Sequence, residues 1–214
     1  MDIQKRAPFI VVSGLIGAGK TTLTTQLADA LGYTARFEPV ASNPYLEDFY
    51  KDQARWSFPM QMFFLAQRFK AHQEIVWGGK PAILDRSIYE DTIFARMHYE
   101  EGTLDARDWE TYISHFHVMQ GFLRYPDVIL YLNVSPEKAL ERINLRSRDA
   151  EAGLPLEYLQ KLHKGYEEFV EEMARYTVVI DLDWAEYQPT WKVVERIQQE
   201  TQTNQKFLRS LRRI

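Results

Sequence analysis

A phosphate-binding loop pattern occupies residues 14–22, where the chain reads Gly-Leu-Ile-Gly-Ala-Gly-Lys-Thr-Thr. The pattern fits G-x-x-x-x-G-K-[ST], and it lies between an apolar run at 9–12 and a segment with helical periodicity. Backbone N–H groups of such a loop surround nucleotide phosphates, the lysine neutralises the β- and γ-phosphates, and the next hydroxyl can hold magnesium. We therefore predict a nucleoside triphosphate site formed by Gly14, Gly17, Ala18, Gly19, Lys20, Thr21 and Thr22.

Two acidic residues, Glu38 and Asp85, lie where predicted strands end. The carboxyl ends of parallel strands face the ligand crevice of an open sheet. Glu38 could there accept the proton of an acceptor hydroxyl that attacks the γ-phosphate. Asp85, like Thr21, could hold magnesium, and the adjacent Arg86 could orient Glu38 and touch the transferring phosphoryl group. The alternatives are an exposed strand-end glutamate and a structural Asp–Arg ion pair.

Three arginines lie close together in the second half of the chain. Arg142 and Arg146 are four residues apart and share a helix face, and Arg148 follows in a predicted loop. Guanidinium groups this close repel one another unless an anion lies among them. Beside a phosphate-binding loop they favour an arginine-rich lid over the triphosphate, at about 142–153, rather than a solvated basic helix end.

Apolar runs that alternate with helical periodicity predict an α/β fold. In the first predicted helix Leu23 and Leu27 recur on one face, and Gly32 ends it. We predict a P-loop-type, doubly wound, five-stranded parallel sheet flanked by helices, in one domain over residues 1–214. The candidate strands are 8–13, 34–38, 81–85, 127–133 and 177–182.

Composition narrows the class of protein. The chain has 214 residues and a net charge of −4, which argues against a general nucleic-acid binder. It contains no cysteine, so disulfides and thiolate zinc sites are excluded. Neither a membrane-spanning stretch nor a secretory h-region is recognisable, so we predict a cytoplasmic enzyme without a membrane partner. The basic tail at about 201–214 is expected to form a solvated terminal helix.

Together these segments resemble the deoxyribonucleoside kinases, and within them the bacterial deoxyadenosine/deoxycytidine kinase branch. The resemblance implies transfer of the γ-phosphoryl group of ATP, with Mg²⁺, to the 5′-hydroxyl of a deoxynucleoside in nucleotide salvage. Deoxyadenosine is the expected acceptor, with deoxycytidine or deoxyguanosine next. The matching segments are GLIGAGKTT at 14–22, FEPV at 37–40, NPYLEDFY at 43–50, RWSFPMQMFFLAQRF at 55–69, DRSIYED at 85–91 and RINLRSRDAEAGLPLEYLQKLH at 142–163.

The resemblance assigns roles around the transferring phosphoryl group. Glu38 would be the general base for the 5′-hydroxyl, with Arg86 beside it. Arg142 would lie along the donor base, while Arg146 and Arg148 would clamp the donor phosphates. The residues expected to carry catalysis are Glu38, Arg86, Lys20 and Arg146.

The resemblance also assigns residues to the acceptor. Tyr50 and Glu151 match the pair that holds the sugar 3′-hydroxyl. The Gln61 amide both donates and accepts, so it can pair with an adenine or cytosine edge. Two turns further on, Arg68 would pair with Asp91, where thymidine-preferring members carry apolar residues, so thymidine is disfavoured. The other expected substrate contacts are Val40, Leu46, Met60, Phe64 and Phe94, with core packing as the alternative for both phenylalanines.

Two segments depart from the family pattern. The family's Glu-Arg-Ser is Asp85-Arg86-Ser87 here, and the shorter carboxylate is expected to bind magnesium through water. The stretch 180–187 matches the loop around the donor base only loosely, so the preference for ATP over another triphosphate is left open.

Three other functions are alternatives for a chain with a phosphate-binding loop. A thymidylate-type nucleoside monophosphate kinase shares the fold but needs extra cations for the acceptor phosphate. A switch GTPase would need an Asn-Lys-x-Asp motif, which the chain lacks, and a P-loop protein without turnover is the third alternative.

The resemblance implies a homodimer through helices at about 87–99 and 105–123. The apolar face on the second helix packs either inward or against the second copy; it comprises Trp109, Tyr112, Ile113, Phe116 and Leu123.

Overall fold

A five-stranded parallel sheet lies at the centre of the molecule. The computed structural model describes residues 6–37, 43–146 and 154–211. Within them the strand order is β2-β3-β1-β4-β5, and every neighbouring pair runs parallel. The strands are β1 Phe9–Gly14, β2 Thr34–Arg36, β3 Ala82–Asp85, β4 Val128–Asn133 and β5 Val178–Asp183.

The three central strands β3, β1 and β4 are largely apolar because helices cover the sheet on both faces. All residues of β1 and β3 are buried, as expected for inner strands of a parallel sheet. The helices are α1 Lys20–Leu31, α2 Leu46–Lys51, α3 Gln53–Gly78, α4 Asp91–Glu100, α5 Ala106–Gln120, α6 Pro136–Arg146, α7 Leu156–Met173 and α8 Thr190–Leu211. A 3₁₀ turn, Ile88–Glu90, precedes α4.

The direction of the crossovers places the crevice. The connection from β1 to β2 runs one way along the sheet, and the next three connections run the other way. Right-handed crossovers then put α1 on one face and the later crossover helices on the other. Contacts between elements agree, since α1 packs on α8 while α3, α4 and α7 belong to one contacting group. The loops after the neighbouring strands β1 and β3 therefore leave toward opposite faces, which opens a binding crevice between them.

The predicted fold is confirmed, with the strand boundaries shifted slightly. The second strand is shorter than the predicted 34–38. It lies at the sheet edge, and its pairing with β3 ends at the pair Arg36–Leu84. Gly32 ends α1 in the left-handed conformation, as predicted.

The apolar face of α5 packs inward. Tyr112 and Phe116 are buried in the core, and Trp109, Ile113 and Leu123 pack against it half-buried. Tyr112 and Phe116 therefore pack inward, while the homodimer and the cytoplasmic location stay predictions. Among the described helices, none combines the length and the hydropathy that a bilayer crossing requires.

Candidate active site

One large cavity opens at the carboxyl edge of β1 and β3. Its volume is about 1160 Å³. One end is lined by the phosphate-binding loop and the end of α6, through Gly17, Gly19, Lys20, Thr21, Thr22 and Arg146. The other end is lined by α2, α3 and α4, through Leu46, Tyr50, Met60, Gln61, Phe64, Arg68 and Phe94. Asp85 and Arg86 line the same cavity directly after β3.

The loop after β1 needs glycine for two physical reasons. Gly17 and Gly19 have φ angles of +82° and +95°, which side chains of L-residues rarely adopt. A Cβ on Gly17 would lie 2.5 Å from the Ala139 carbonyl oxygen, a backbone atom of α6. The loop is therefore pressed closely between the sheet and α6, with its backbone facing the cavity.

Lys20 is held at the phosphate end by the loop itself. Its Nζ donates to the carbonyl oxygens of Gly14 and Leu15, at 3.0 and 2.7 Å. The side chain is buried and yet lines the cavity. These two contacts place the Lys20 ammonium group within the phosphate-binding loop.

Thr21 and Asp85 lie together at the crevice between the chain segments that follow β1 and β3. The Thr21 hydroxyl donates to Asp85 Oδ2 at 2.6 Å. The other carboxylate oxygen, Oδ1, is buried and has no hydrogen-bond partner among the described residues. Two hard oxygen ligands beside a phosphate site, one of them unsatisfied, fit the ligand preference of Mg²⁺.

Arg86 has a positive backbone φ of +64°, and its side chain lines the cavity. Its guanidinium carbon lies 4.9 Å from the centre of the Phe94 ring, a cation–π distance. Arg86 Nη1 also contacts Glu90 and Tyr166, neither of which the sequence reasoning singled out. Arg86 is therefore not an Asp85 ion-pair partner in the described contacts; Asp85 pairs with Thr21 instead.

A buried polar group forms the far end of the cavity. Gln61 and Arg68 lie two turns apart on α3, and Asp91 begins α4 directly opposite. Arg68 Nη1 forms an ion pair with Asp91 Oδ1, and its guanidinium carbon lies 5.1 Å from the Phe64 ring centre. All three polar residues are at most 5% exposed. Because burying charge is costly without a partner, Asp91 holds the Arg68 guanidinium in place, and Arg68 lines the cavity.

Two tyrosines flank the middle of the cavity. Tyr50, which the family resemblance assigns to the sugar, lies on α2, and Tyr158 lies on α7. Burial raises the pKa of Tyr158, with a smaller upward contribution from Tyr50, so its hydroxyl stays protonated at neutral pH. Tyr158 was missed because a tyrosine on an amphipathic helix gives no sequence signal for a site.

The two described arginines of α6 lie in different places. Arg146 lines the cavity. Arg142 instead donates to the carbonyl oxygens of Trp184 and Ala185, each at 2.8 Å, and its guanidinium carbon lies 4.4 Å from the Tyr187 ring centre. Arg142 thus ties α6 to the loop after β5.

Four predicted site residues lie outside the described residues. They are Glu38, Val40, Arg148 and Glu151. Phe37, the residue before Glu38, lines the cavity. The other predicted site residues line the cavity, except for four that do not: Gly14, Ala18, Asp91 and Arg142.

Comparison with known proteins points to one family. The family model "Deoxynucleoside kinase" matches residues 10–206. A deoxyadenosine kinase from Dictyostelium discoideum is 45% identical over 202 residues, which cover 93% of this chain and 82% of that protein. A deoxyadenosine/deoxycytidine kinase from Bacillus subtilis is 45% identical over 164 residues, covering 75% of this chain and 76% of that protein.

Solved structures agree with the sequence comparison. A deoxyadenosine kinase from M. mycoides with the products dCMP and a flexible dCDP bound has a TM-score of 0.76 and 32% identity, covering 94% of this chain and 99% of that one. The same enzyme with bound dATP has a TM-score of 0.78 and 32% identity, covering 90% and 98%.

Proposed function

The chain belongs to the deoxynucleoside kinase family, and from that premise we propose that it transfers the γ-phosphoryl group of ATP to the 5′-hydroxyl of deoxyadenosine. Deoxycytidine and deoxyguanosine are the next acceptors in the proposed order. The family model and the similar kinases confirm the family and the kinase activity that the motifs predicted. Relatives named deoxyadenosine, deoxyadenosine/deoxycytidine and deoxyguanosine kinase support this choice of bases.

One observation carries the proposal: a single cavity joins the phosphate-binding loop to a buried polar group that fits a nucleobase. Lys20 and Thr21 line one end, and Gln61 and Arg68 line the other. The volume, about 1160 Å³, is slightly larger than that of a typical small-molecule site, as two substrates meeting end to end require. This arrangement favours transfer between a triphosphate and a nucleoside over hydrolysis of a lone triphosphate.

The polar end suits adenine better than thymine. The Gln61 amide can donate to one atom of the adenine edge and accept from the exocyclic amino group. Arg68, fixed by Asp91, then donates to a further ring acceptor. Cytosine and guanine also offer adjacent donors and acceptors, whereas a thymine methyl group would face buried charge, which is costly.

In the proposed reaction the 5′-oxygen attacks the γ-phosphorus, a bond forms between them, and the bond to the β,γ-bridging oxygen breaks. Glu38 accepts the 5′-hydroxyl proton, and ADP leaves. Lys20 and Arg146 offset the charge on the phosphates, and Arg86 stabilises the transferring group. Arg148 clamps the phosphates with them, and Tyr50 and Glu151 hold the sugar 3′-hydroxyl.

Thr21 and Asp85 would hold Mg²⁺ when the donor is bound. The ion would supply charge neutralisation on the β- and γ-phosphates. The buried, unsatisfied Oδ1 of Asp85 beside the Thr21 hydroxyl supports this assignment. Arg142 would act on the donor side through the loop at 184–187, which it holds in place.

The test is a set of initial rates with ATP and Mg²⁺ and six acceptors: the four deoxynucleosides, adenosine and dAMP. Among the four deoxynucleosides we expect the highest kcat/KM with deoxyadenosine, lower values with deoxycytidine and deoxyguanosine, and the lowest with thymidine, and we expect no phosphorylation of dAMP. Phosphorylation of dAMP faster than deoxyadenosine would support the monophosphate kinase instead. Faster use of thymidine would contradict the role given to Gln61 and Arg68.

A further inference from the structure

Arg86 adopts a backbone conformation that needs support. Among the described residues it is the only non-glycine residue with a positive φ, +64°. Side chains of L-residues adopt this left-handed region at an energetic cost, and such strain persists only where the surroundings enforce it. The Arg86 N–H donates to the Val12 carbonyl oxygen at 3.1 Å, which fixes the backbone to β1. The side chain needs its own anchor, because it is only 3% exposed and carries a full charge.

Glu90 is that anchor, and each of its two carboxylate oxygens has two hydrogen-bond donors. Its Oε1 accepts from the Ser13 hydroxyl at 2.6 Å and from the Ser87 N–H at 3.1 Å. Its Oε2 accepts from the Tyr166 hydroxyl at 2.8 Å and lies 3.4 Å from Arg86 Nη1. The residue is fully buried. Four donors, two on each carboxylate oxygen, therefore fix the Glu90 side chain beneath Arg86.

Tyr166 links the glutamate to the arginine. Arg86 Nη1 donates to the Tyr166 hydroxyl oxygen, and that hydroxyl donates to Glu90. Burial raises the pKa of Tyr166 well above its ordinary value, with a further rise from the Glu90 charge, so the hydroxyl proton stays in place. The Tyr166 ring also lies under the guanidinium, 5.9 Å from its carbon, and Phe94 lies on it at 4.9 Å. One edge and the face of the guanidinium are thus fixed while the residue lines the cavity.

We propose that Glu90 and Tyr166 are positioning residues that hold the Arg86 guanidinium in the orientation needed at the transferring phosphoryl group. The inference rests on the role of Arg86 in the proposed function and extends it to two residues beneath the site. Neither Glu90 nor Tyr166 lines the cavity, so neither touches substrate in this arrangement. They act through Arg86, by removing its freedom to rotate and by offsetting its charge before the substrates arrive.

The test uses Tyr166→Phe, which removes one hydroxyl and leaves the ring, the Glu90 charge and the fold in place. We expect kcat to fall roughly tenfold, because a small displacement of a catalytic group costs that much or more, with little change in either KM. The matched control is Tyr131→Phe. Tyr131 is equally buried, stacks on Tyr166 at 5.9 Å, and has a hydroxyl without a described hydrogen-bond partner. The kcat of Tyr131→Phe should equal the wild-type value.

A double-mutant cycle separates positioning from a general structural role. Arg86→Lys should lower kcat strongly, and adding Tyr166→Phe to it should cause no further loss if Tyr166 acts only through Arg86. Glu90→Gln serves as the second variant, with an expected loss of roughly tenfold to a hundredfold in kcat from the misplaced guanidinium.

Two results would overturn the inference in different ways. Wild-type kcat in folded Tyr166→Phe and Glu90→Gln, or equal losses from Tyr166→Phe with and without Arg86, would remove the positioning role alone. Wild-type kcat in Arg86→Lys would instead remove Arg86 from the proposed mechanism, and with it the premise. A lower melting temperature with unchanged kcat counts as the first of these results.

Discussion

The two ends of the cavity are built in different ways. The phosphate end is a continuous stretch of backbone after β1, where Gly17 and Gly19 take conformations that other residues resist. The nucleoside end is assembled from side chains on separate helices, Gln61 and Arg68 from α3 and Asp91 from α4. Its polar groups are buried and depend on one another, whereas the phosphate end depends on chain geometry.

This difference has a chemical reason. Every donor triphosphate presents the same oxygens, so a fixed backbone cradle with one lysine suffices for it. Nucleobases differ in donors and acceptors, so recognition needs side chains that can vary between relatives while the cradle stays the same. Substitutions at the phosphate end should therefore slow the reaction with all acceptors alike. Substitutions at the nucleoside end should change which acceptor is preferred.

The largest effect is expected from Glu38→Gln, which changes the proposed general base. The amide cannot accept the 5′-hydroxyl proton, so kcat should fall by about 10²–10⁴-fold with all acceptors and with little change in nucleotide binding. Steady-state rates with deoxyadenosine and deoxycytidine, together with ATP titrations, check this. Glu110→Gln, at an exposed carboxylate on α5, is the control. An unchanged kcat would remove Glu38 from the mechanism.

At the nucleoside end, Arg68→Leu should destabilise the protein by about 3–5 kcal/mol, because Asp91 is left buried without its partner. The double variant Arg68→Leu with Asp91→Leu removes both charges, and its free energy of unfolding should recover most of that loss. Its ratio of thymidine to deoxyadenosine kcat/KM should rise. Denaturant unfolding and acceptor competition measure the two quantities, and an unchanged acceptor ratio would refute the specificity argument.

A smaller effect is expected from Gly17→Ala. The added Cβ would lie 2.5 Å from the Ala139 carbonyl oxygen, so the loop must shift, and KM for ATP should rise roughly tenfold to a hundredfold with all acceptors alike. Gly79→Ala also replaces a glycine with a positive φ, +62°, but has nothing within 4 Å of the new Cβ. It should lower stability modestly and leave KM for ATP unchanged. Equal KM values for the two variants would show that the cradle tolerates displacement.

The smallest effect concerns pH and the helices of the nucleoside end. Burial lowers the pKa of His72 on α3 and of His98 on α4 to about 4. Both are neutral when folded, and the unfolded chain takes up their protons near pH 6.5. Their contribution to stability is therefore full above pH 6.5 and is lost as the pH falls toward 4. From pH 7 to 5 the free energy of unfolding should drop by roughly 1–2 kcal/mol per histidine.

Thermal unfolding across this range measures the loss. His98→Leu should reduce the dependence of the melting temperature on pH, because one of the two buried imidazoles is gone. A melting temperature that is flat between pH 7 and 5 in the wild type would show that the buried histidines do not govern stability there.

The same contrast explains what the sequence could predict. The phosphate-binding loop, its strand and the parallel sheet follow from local patterns, since the residues that make the cradle are contiguous. Gln61, Arg68 and Asp91 came from the family resemblance, because no local spacing joins α3 to α4. Glu90 and Tyr166 were missed for the same reason, being 76 residues apart and joined only by the fold. The positive φ of Arg86 also gives no signal, because arginine does not mark a left-handed turn.

The central claim is that one cavity aligns a deoxyadenosine 5′-hydroxyl with the γ-phosphate of ATP. A crystal structure with deoxyadenosine and a non-hydrolysable ATP analogue measures it most directly, through the distance from the 5′-oxygen to the γ-phosphorus. We predict about 3–3.5 Å in line with the bond to be broken, with adenine hydrogen-bonded to Gln61. A nucleoside bound with its sugar turned away from Lys20, or with its base outside the pocket of Gln61 and Arg68, would contradict the account.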